Sequence, residues 1–335
     1  MSNVITPKGY KPLLNLKQTQ HAIKKVKDFF ERDLAIQLNL TRVSAPLFVG
    51  TNSGLNDTLN GVERPVRFDI KGVNGEYEIV HSLAKWKRYA LKDYGFNHNE
   101  GLYTDMNAIR RDEDGDNIHS VLVDQWDWEK IIKKEERNIE TFKATVNCIY
   151  NALKHTEKYI ADDYDFAEIF LPNEIFFITT QELEDMYPDL TPKQREYEIS
   201  KAKGAVCLMQ IGGELKSGKI HDGRAPDYDD WLLNGDLIAY DPIADDALEL
   251  SSMGIRVDAV SLMKQLEIAG KTERASLYFH KLLLENKLPL TIGGGIGQSR
   301  LSMLLLEKAH IGEVQVSVWS KQTIEECKKM GITLL

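Results

Sequence analysis

Apolar side chains recur at helical spacing over residues 18–38, at Ile23, Val26, Phe29, Phe30, Leu34 and Leu38. That spacing predicts one amphipathic helix. Residues 40–49 then read as a strand, with Pro46 marking an edge or a bend. Residues 50–61 are rich in Gly, Asn, Ser and Thr and predict a loop. Alternation over 66–70 and 77–80 predicts a hairpin, turning at 73–75. A basic helix is expected over 81–94, two strands over 101–111 and 121–128 around an Asp-rich turn, and a long helix over 133–160. Further strands are expected at 175–178, 205–211, 237–240 and 314–319, with helices at 257–267, 274–286 and 301–308.

Strands thus come in hairpin-like pairs between isolated helices, without regular βαβ alternation. The expected fold class is α+β, with an antiparallel or mixed sheet flanked by helices. No internal repeat, low-complexity tract or linker interrupts the chain, so residues 1–335 are expected to form a single domain. A hydrophobic content of 42% and a charged content of 28% suit a globular protein with a sizeable core. No run of eighteen apolar residues is present, and the N-terminus lacks an apolar signal core, so no membrane partner is expected. Cys148, Cys207 and Cys327 lie far apart and make no CxxC pair, which points to a reducing, cytoplasmic compartment. The net charge of −9 argues against a nucleic-acid partner while leaving room for a basic pocket that takes one nucleotide.

Two segments, Glu249-Leu-Ser-Ser-Met-Gly-Ile-Arg256 and Gly293-Gly-Gly-Ile-Gly-Gln-Ser-Arg300, set small residues beside a single arginine. Small residues let backbone and ligand approach closely, and arginine offers a planar charged fork for carboxylate or phosphate. Together they predict a pocket that holds a carboxylate near a nucleotide phosphate, the chemistry of carboxylate activation. The glycine segment lacks the third glycine of GxGxxG and the Lys-Ser/Thr of a Walker loop. It reads either as a plain strand-to-helix turn or, better, as an anion site at a helix start.

Arg110 is expected at a strand end before an acidic loop, with Gln125 and Asp127 on one face of the returning strand. In His81-Ser-Leu-Ala-Lys-Trp-Lys-Arg88, Ser82 shares a face with Lys85 if the segment is helical throughout, or with Lys87 if it begins as a turn. Arg224-Ala-Pro-Asp-Tyr-Asp-Asp-Trp231 interleaves aromatics with acids, which can stack a base and hold Mg²⁺ near phosphates. Asp236 and Glu249 are further candidates for metal or ribose contact. A GxSxG elbow, an HExxH helix, zinc spacing and a kinase signature are all missing from the sequence, and residue 2 is serine where a glutaminase nucleophile would be cysteine.

These blocks resemble the catalytic core of class II aminoacyl-tRNA synthetases. Residues 40–48 are similar to motif 1, a dimer-interface element; residues 110–129 to motif 2; and residues 293–300 to motif 3. Five long blocks, at 81–88, 123–129, 224–231, 249–258 and 293–301, more closely resemble the AMP-forming aspartate–ammonia ligases, whose pattern departs here only in a short 231–234 connection. The resemblance implies a class II synthetase-like antiparallel sheet, a homodimer, and aspartate, ATP with Mg²⁺, and ammonia as ligands. It also implies adenylation of the aspartate side-chain carboxylate followed by attack of ammonia.

Of the site residues, it implies that Arg110 holds the α-phosphate and the reacting carboxylate. Arg300 would hold the γ-phosphate or stack on adenine. Ser82, Lys87, Ser252 and Arg256 would fix aspartate's carboxylates, while Gln125 and Asp127 hold its amino group or acyl oxygen. Asp57 would receive ammonium. Ile118, Tyr228, Asp236 and Gly297 would contact the nucleotide, Asp229 and Ser251 the nucleotide or the substrate, and Asp236 with Glu249 the metal. A tRNA synthetase and a non-catalytic aspartate sensor are the competing readings.

Overall fold

The computed structural model describes residues 4, 7, 9–57, 59, 63–165 and 167–335. Helix α1 (Leu16–Leu38) starts where the Asn15 side chain accepts from Gln18 N–H and Gln18 answers the Asn15 N–H. It stops at Asn39, which adopts the left-handed conformation at φ 58°. The single strand expected over 40–49 is two short ones, β1 (Leu40–Arg42) and β2 (Phe48–Gly50). Pro46, which has no N–H to donate, lies in the break between them. Strands β3 (Arg67–Ile70) and β4 (Val73–Ile79) form the expected hairpin, but it turns at Lys71 and Gly72, just before the anticipated position. Gly72 takes φ +81°, the conformation such a turn requires.

The chain continues through α2 (Ala84–Asp93), β5 (Gly101–Ile109), β6 (Leu122–Ile131), α3 (Ile139–Asp163), β7 (Phe176–Thr179), α4 (Thr180–Met186) and α5 (Pro192–Lys203). It then forms β8 (Ala205–Met209), β9 (Asp229–Asp241), β10 (Asp246–Arg256), α6 (Ala259–Ile268), α7 (Tyr278–Leu284), β11 (Thr291–Gly297), α8 (Gln298–Leu305) and α9 (Lys321–Lys329). The 231–234 connection lies inside the continuous strand β9. Residues 314–319, expected as a last strand, pair with no strand. They leave a short 3₁₀ turn at Ile311–Glu313 and are tied by Gln315 to Asp124 and Ser299 and by Ser317 to Ser120, with Val316 and Val318 in solvent.

Eight strands form one mixed sheet in the order β1-β5-β6-β11-β10-β9-β8-β7, and β2-β4-β3 form a small second sheet. The six central strands of the large sheet are antiparallel, with a parallel strand added at each edge, β1 on β5 and β7 on β8. On one face, α1, α3 and α8 cover the main core. Trp126 and Trp128 of β6 are fully buried there, and Trp126 lies 4.8 Å from Phe30 of α1. Each such ring buries about 150–250 Å², worth up to about 4–6 kcal/mol at 25 cal/mol per Å². Because strand side chains alternate, burying Trp126 and Trp128 on this face sends Gln125, Asp127 and Glu129 to the other. That second face, flanked by α2, carries the site.

Candidate active site

The floor of the site is the pairing of β6 with β11. Gly293, Gly295 and Gly297 stand directly opposite Glu129, Asp127 and Gln125. A Cβ on Gly293 would lie 1.9 Å from Glu129 Oε2, and one on Gly295 would lie 2.6 Å from Gln125 Oε1 and 2.7 Å from Asp127 Oδ1. The glycines thus let three polar side chains of β6 lie flat across the neighbouring strand. Helix α8 opens at Gln298, so Gly293–Gly297 is a central strand leading into a helix, and its glycines serve side-chain clearance in a sheet rather than a phosphate-cradling loop.

A small cavity of about 90 Å³ opens on this floor. Helix α2 begins only at Ala84, so Ser82 lies in the preceding turn and shares the cavity with Lys87. Lys85 turns the other way, to Asp227 at 3.3 Å. Lys87 is buried. It donates to the Gly294 carbonyl at 2.7 Å and sits 3.3 Å from Asp127 Oδ1. Burial pushes its ammonium below the usual lysine range, against the opposing pull of Asp127. Ser82 Oγ donates to Asp57 Oδ2 at 2.9 Å, and Asp57 Oδ1 accepts the Leu59 N–H at 2.9 Å. Arg256 grips Glu129 with Nε at 3.0 and 3.1 Å and Nη2 at 2.8 Å, and its Nη1 meets Asp229. Thr291 Oγ1 adds a bond to Glu129 Oε1 at 2.6 Å.

A larger cavity of about 410 Å³ adjoins it, lined in part by Ile118, Glu249, Gly297 and Arg300. Arg300 is pinned by two backbone carbonyls, Glu249 at 2.9 Å and Ile118 at 3.4 Å, so it ties the loop after β5 to β10. Arg110, Gln125, Ser252 and Gly295 line both cavities and form their common wall. A third cavity, about 260 Å³, again contains Arg110, together with Leu59, Arg224 and Tyr228. The Nε of Arg110 is buried without a protein hydrogen-bond partner. A cation so placed is available to a ligand at the junction.

A model of the aspartate-ammonia ligase family matches residues 17–331. The chain belongs to that family. It is 64% identical over 336 residues to an aspartate–ammonia ligase of Clostridium perfringens, covering all of both chains. It is 62% identical to that of Ruminiclostridium cellulolyticum over 100% of each, and 60% identical to that of Lactobacillus johnsonii over 99% of each. Among solved structures it resembles Entamoeba histolytica asparaginyl-tRNA synthetase in complex with asparaginyl-adenylate, at a TM-score of 0.61 and 14% identity. The match covers 90% of this chain and 66% of that one. Pyrococcus horikoshii asparaginyl-tRNA synthetase complexed with asparaginyl-adenylate gives a TM-score of 0.62 at 14% identity, over 89% and 68%. These likenesses establish the fold, the class II synthetase arrangement of a large sheet flanked by helices.

In this aspartate-ammonia ligase family member, the residues singled out in the sequence fall into three groups. Asp57, Ser82, Lys87, Gln125, Asp127, Ser252 and Arg256 surround the small cavity, and Ile118, Glu249, Gly297 and Arg300 the larger one. Tyr228, anticipated beside the nucleotide, and Asp229, anticipated beside nucleotide or substrate, both line the small cavity. Ser251 and Asp236 line neither cavity wall. Ser251 points to the opposite face from Ser252, where its hydroxyl donates to the Gly295 carbonyl at 3.0 Å. Asp236 stands opposite Ser252 in the β9–β10 ladder, bonded to Arg224 Nη1 at 2.8 Å. Its carboxyl is pushed up to about 6 by burial, against the pull of Arg224 and with a smaller push from Glu249. Two side chains that order the site carried no assigned role. Glu129 continues the alternation of Gln125 and Asp127, and that period was the signal for it. Arg224 opens its motif, but nothing in sequence tells which carboxylates it reaches.

Proposed function

We propose that this chain makes asparagine from aspartate and ammonia at the expense of ATP, through a β-aspartyl-AMP intermediate. The observation that carries this reading is the shared wall. A small cation-lined cavity suited to aspartate meets a larger one suited to a nucleotide across Arg110, Gln125, Ser252 and Gly295. In the first step the aspartate β-carboxylate oxygen bonds to the α-phosphorus, and pyrophosphate leaves. In the second, the ammonia nitrogen bonds to the acyl carbon, the acyl C–O bond to AMP breaks, and one proton is lost. Carboxylate and triphosphate repel each other, so fixed cations that hold them in line supply most of the catalysis.

Arg110 bridges the reacting carboxylate and the α-phosphate. Lys87, Ser82, Ser252 and Arg256 take aspartate's carboxylates, and Asp127 and Gln125 its amino group or acyl oxygen. Arg300 meets the γ-phosphate or stacks on adenine. Ile118 and Gly297 shape the nucleotide subsite. Asp57, already an acceptor for Ser82, takes the proton from ammonium. Asp236 and Glu249 suit Mg²⁺, which favours one or two carboxylates completed by phosphates and water. The push of Glu249 on the Asp236 carboxyl is a load that a divalent cation relieves. When bound, Mg²⁺ would neutralise charge on the leaving pyrophosphate.

The proposed assembly is a homodimer, supported by the segment at 40–48 that resembles motif 1. The proposed compartment is the cytoplasm, supported by three free thiols at Cys148, Cys207 and Cys327. Among the described residues no helix is long and apolar enough to cross a membrane. The protein, incubated with aspartate, Mg²⁺ and ATP, is expected to yield asparagine, AMP and pyrophosphate when ammonium is added, and neither asparagine with glutamine nor charged product with tRNA. ADP as the nucleotide product, or aminoacylated tRNA, overturns the reading.

A further inference from the structure

Five side chains form one run of alternating charge beneath the site: Asp236 and Arg224, which are half-buried, and Asp229, Arg256 and Glu129, which are buried. Arg224 donates from Nη1 to Asp236 Oδ1 at 2.8 Å and from Nε to Asp229 Oδ2 at 3.1 Å, with Nη2 2.9 Å from the same oxygen. Asp229 turns its other oxygen, Oδ1, to Arg256 Nη1. The rest of the Arg256 fork is held by Glu129. The run is closely fitted, since a Cβ on Gly254 would stand 2.7 Å from Asp229 Oδ1. Its two ends lie apart. Arg256 and Asp229 line the small cavity, whereas Asp236 lines neither cavity and stands across the ladder from Ser252, which lines both, and close to Glu249 of the large one.

This geometry presents a difficulty for aspartate binding. Arg256 is proposed above to take one of aspartate's carboxylates, yet its fork is already engaged by Glu129 and Asp229. An incoming carboxylate must compete with Asp229 for Nη1. How hard Asp229 holds Arg256 depends on how well Asp229 is neutralised from its other side, and that is the work of Arg224. Arg224 in turn divides its donors between Asp229 and Asp236, with Nη2 also donating to the Met253 carbonyl at 3.2 Å.

We propose that Arg224 is a positioning residue that couples the nucleotide subsite to the aspartate subsite by sharing itself between Asp236 and Asp229. When a group of the bound metal–nucleotide engages Asp236, that carboxylate offers less to Arg224, and Arg224 turns more fully to Asp229. Asp229 then loosens its hold on Arg256 Nη1, and Arg256 presents its charge to the cavity. Binding is therefore synergistic, and by linkage aspartate tightens nucleotide binding by the same factor. The proposal rests on the assignment of the two cavities to aspartate and nucleotide, and goes beyond it in naming the residue that connects them.

The test is calorimetric titration of the full chain with aspartate and with Mg²⁺–α,β-methylene-ATP, whose P–C bond blocks adenylation, each alone and in the presence of the other. In the unmodified protein each ligand is expected to tighten the other about tenfold, within the usual range of coupling. Arg224→Gln is expected to bring that factor close to one, while binding of nucleotide alone stays within about threefold. Asp236→Ala gives a second readout with the opposite sign. It releases Arg224 to Asp229 permanently, so aspartate binding without nucleotide tightens towards the level the unmodified protein reaches only with nucleotide. A merely structural role predicts weaker aspartate binding in both variants. Synergy that survives Arg224→Gln, no synergy in the unmodified protein, or aspartate binding to Asp236→Ala that is unchanged or weakened overturns the proposal. If the unmodified protein binds neither ligand, the assignment of the cavities itself fails.

Discussion

Arg110→Ala is expected to lower kcat for aspartate-dependent pyrophosphate release by about 10³-fold, the scale seen when a charge-stabilising group is removed from a transition state. The expectation follows from where the side chain lies. Arg110 lines all three cavities, and its Nε is buried with no protein partner. Its main-chain N–H donates to the Val121 carbonyl at 2.9 Å, which fixes the base of the side chain whatever the residue is. Removing the guanidinium therefore takes little from the fold. It takes away the charge that holds an anionic nucleophile against an anionic electrophile. Dissociation constants for aspartate alone and for nucleotide alone are expected to move by less than about tenfold, since each retains its other ligands, Lys87 and Arg256 or Arg300. Arg110→Lys restores only part of the rate, because a point charge cannot bridge two groups as a planar fork does. Pyrophosphate release by Arg110→Ala at the unmodified rate removes Arg110 from the chemistry.

Gly293→Ala is expected to cost about 2–4 kcal/mol of stability and to abolish aspartate saturation in the same protein. The added Cβ would stand 1.9 Å from Glu129 Oε2, 2.5 Å from its Cδ and 2.7 Å from Arg256 Nη2. Neither backbone can yield, because Gly293 and Glu129 are paired in two central strands. Glu129 must swing away, which leaves Arg256 a buried cation with one carboxylate fewer. Breaking such a pair costs about 3–5 kcal/mol. The lower unfolded-state entropy of alanine returns about 0.4–1 kcal/mol of this. Gly213→Ala is the control. No atom lies within 4 Å of a Cβ there, and its stability is expected to stay within about 0.5 kcal/mol. Urea unfolding with a parallel titration of aspartate checks both variants. A Gly293→Ala protein as stable as the original, with unchanged aspartate affinity, would mean that the clearance over Glu129 is unimportant.

Much of the fold is visible in the order of residues. The apolar stripe of α1, the alternation of β5 and β6 and the lack of βαβ order give the α+β sheet with its helices, because burial fixes those periods locally. β11 is hidden for the opposite reason. Its sequence, Thr-Ile-Gly-Gly-Gly-Ile-Gly, is a poor strand former in isolation, and only the side chains of β6 lying across it make glycine the residue that fits. Helix α5 shows no apolar stripe, because Ile199 is its one buried aliphatic residue, although Thr191, Pro192 and Gln194 form a recognisable helix start. Residues 314–319 mislead in the other direction. They alternate like a strand, but side-chain bonds from Gln315 and Ser317 hold them, and no neighbouring strand does.

The members of the site were legible as chemistry. Arginines beside small residues, and carboxylates alternating with tryptophans, mark surfaces built for anions. Which partner each arginine holds was not legible. Arg256 meets Glu129 and Asp229 at separations of 127 and 27 positions, and only the folded sheet joins them. The choice between Lys85 and Lys87 was open for a similar reason. It turns on whether α2 begins before or after Ser82, and the helix begins at Ala84.

The central claim is that the aspartate side-chain carboxylate attacks the innermost phosphorus of ATP. Aspartate labelled with ¹⁸O in that carboxylate, turned over with ATP and ammonium, is predicted to leave one labelled oxygen in AMP and none in pyrophosphate. Unlabelled AMP, or label in inorganic phosphate, would contradict it.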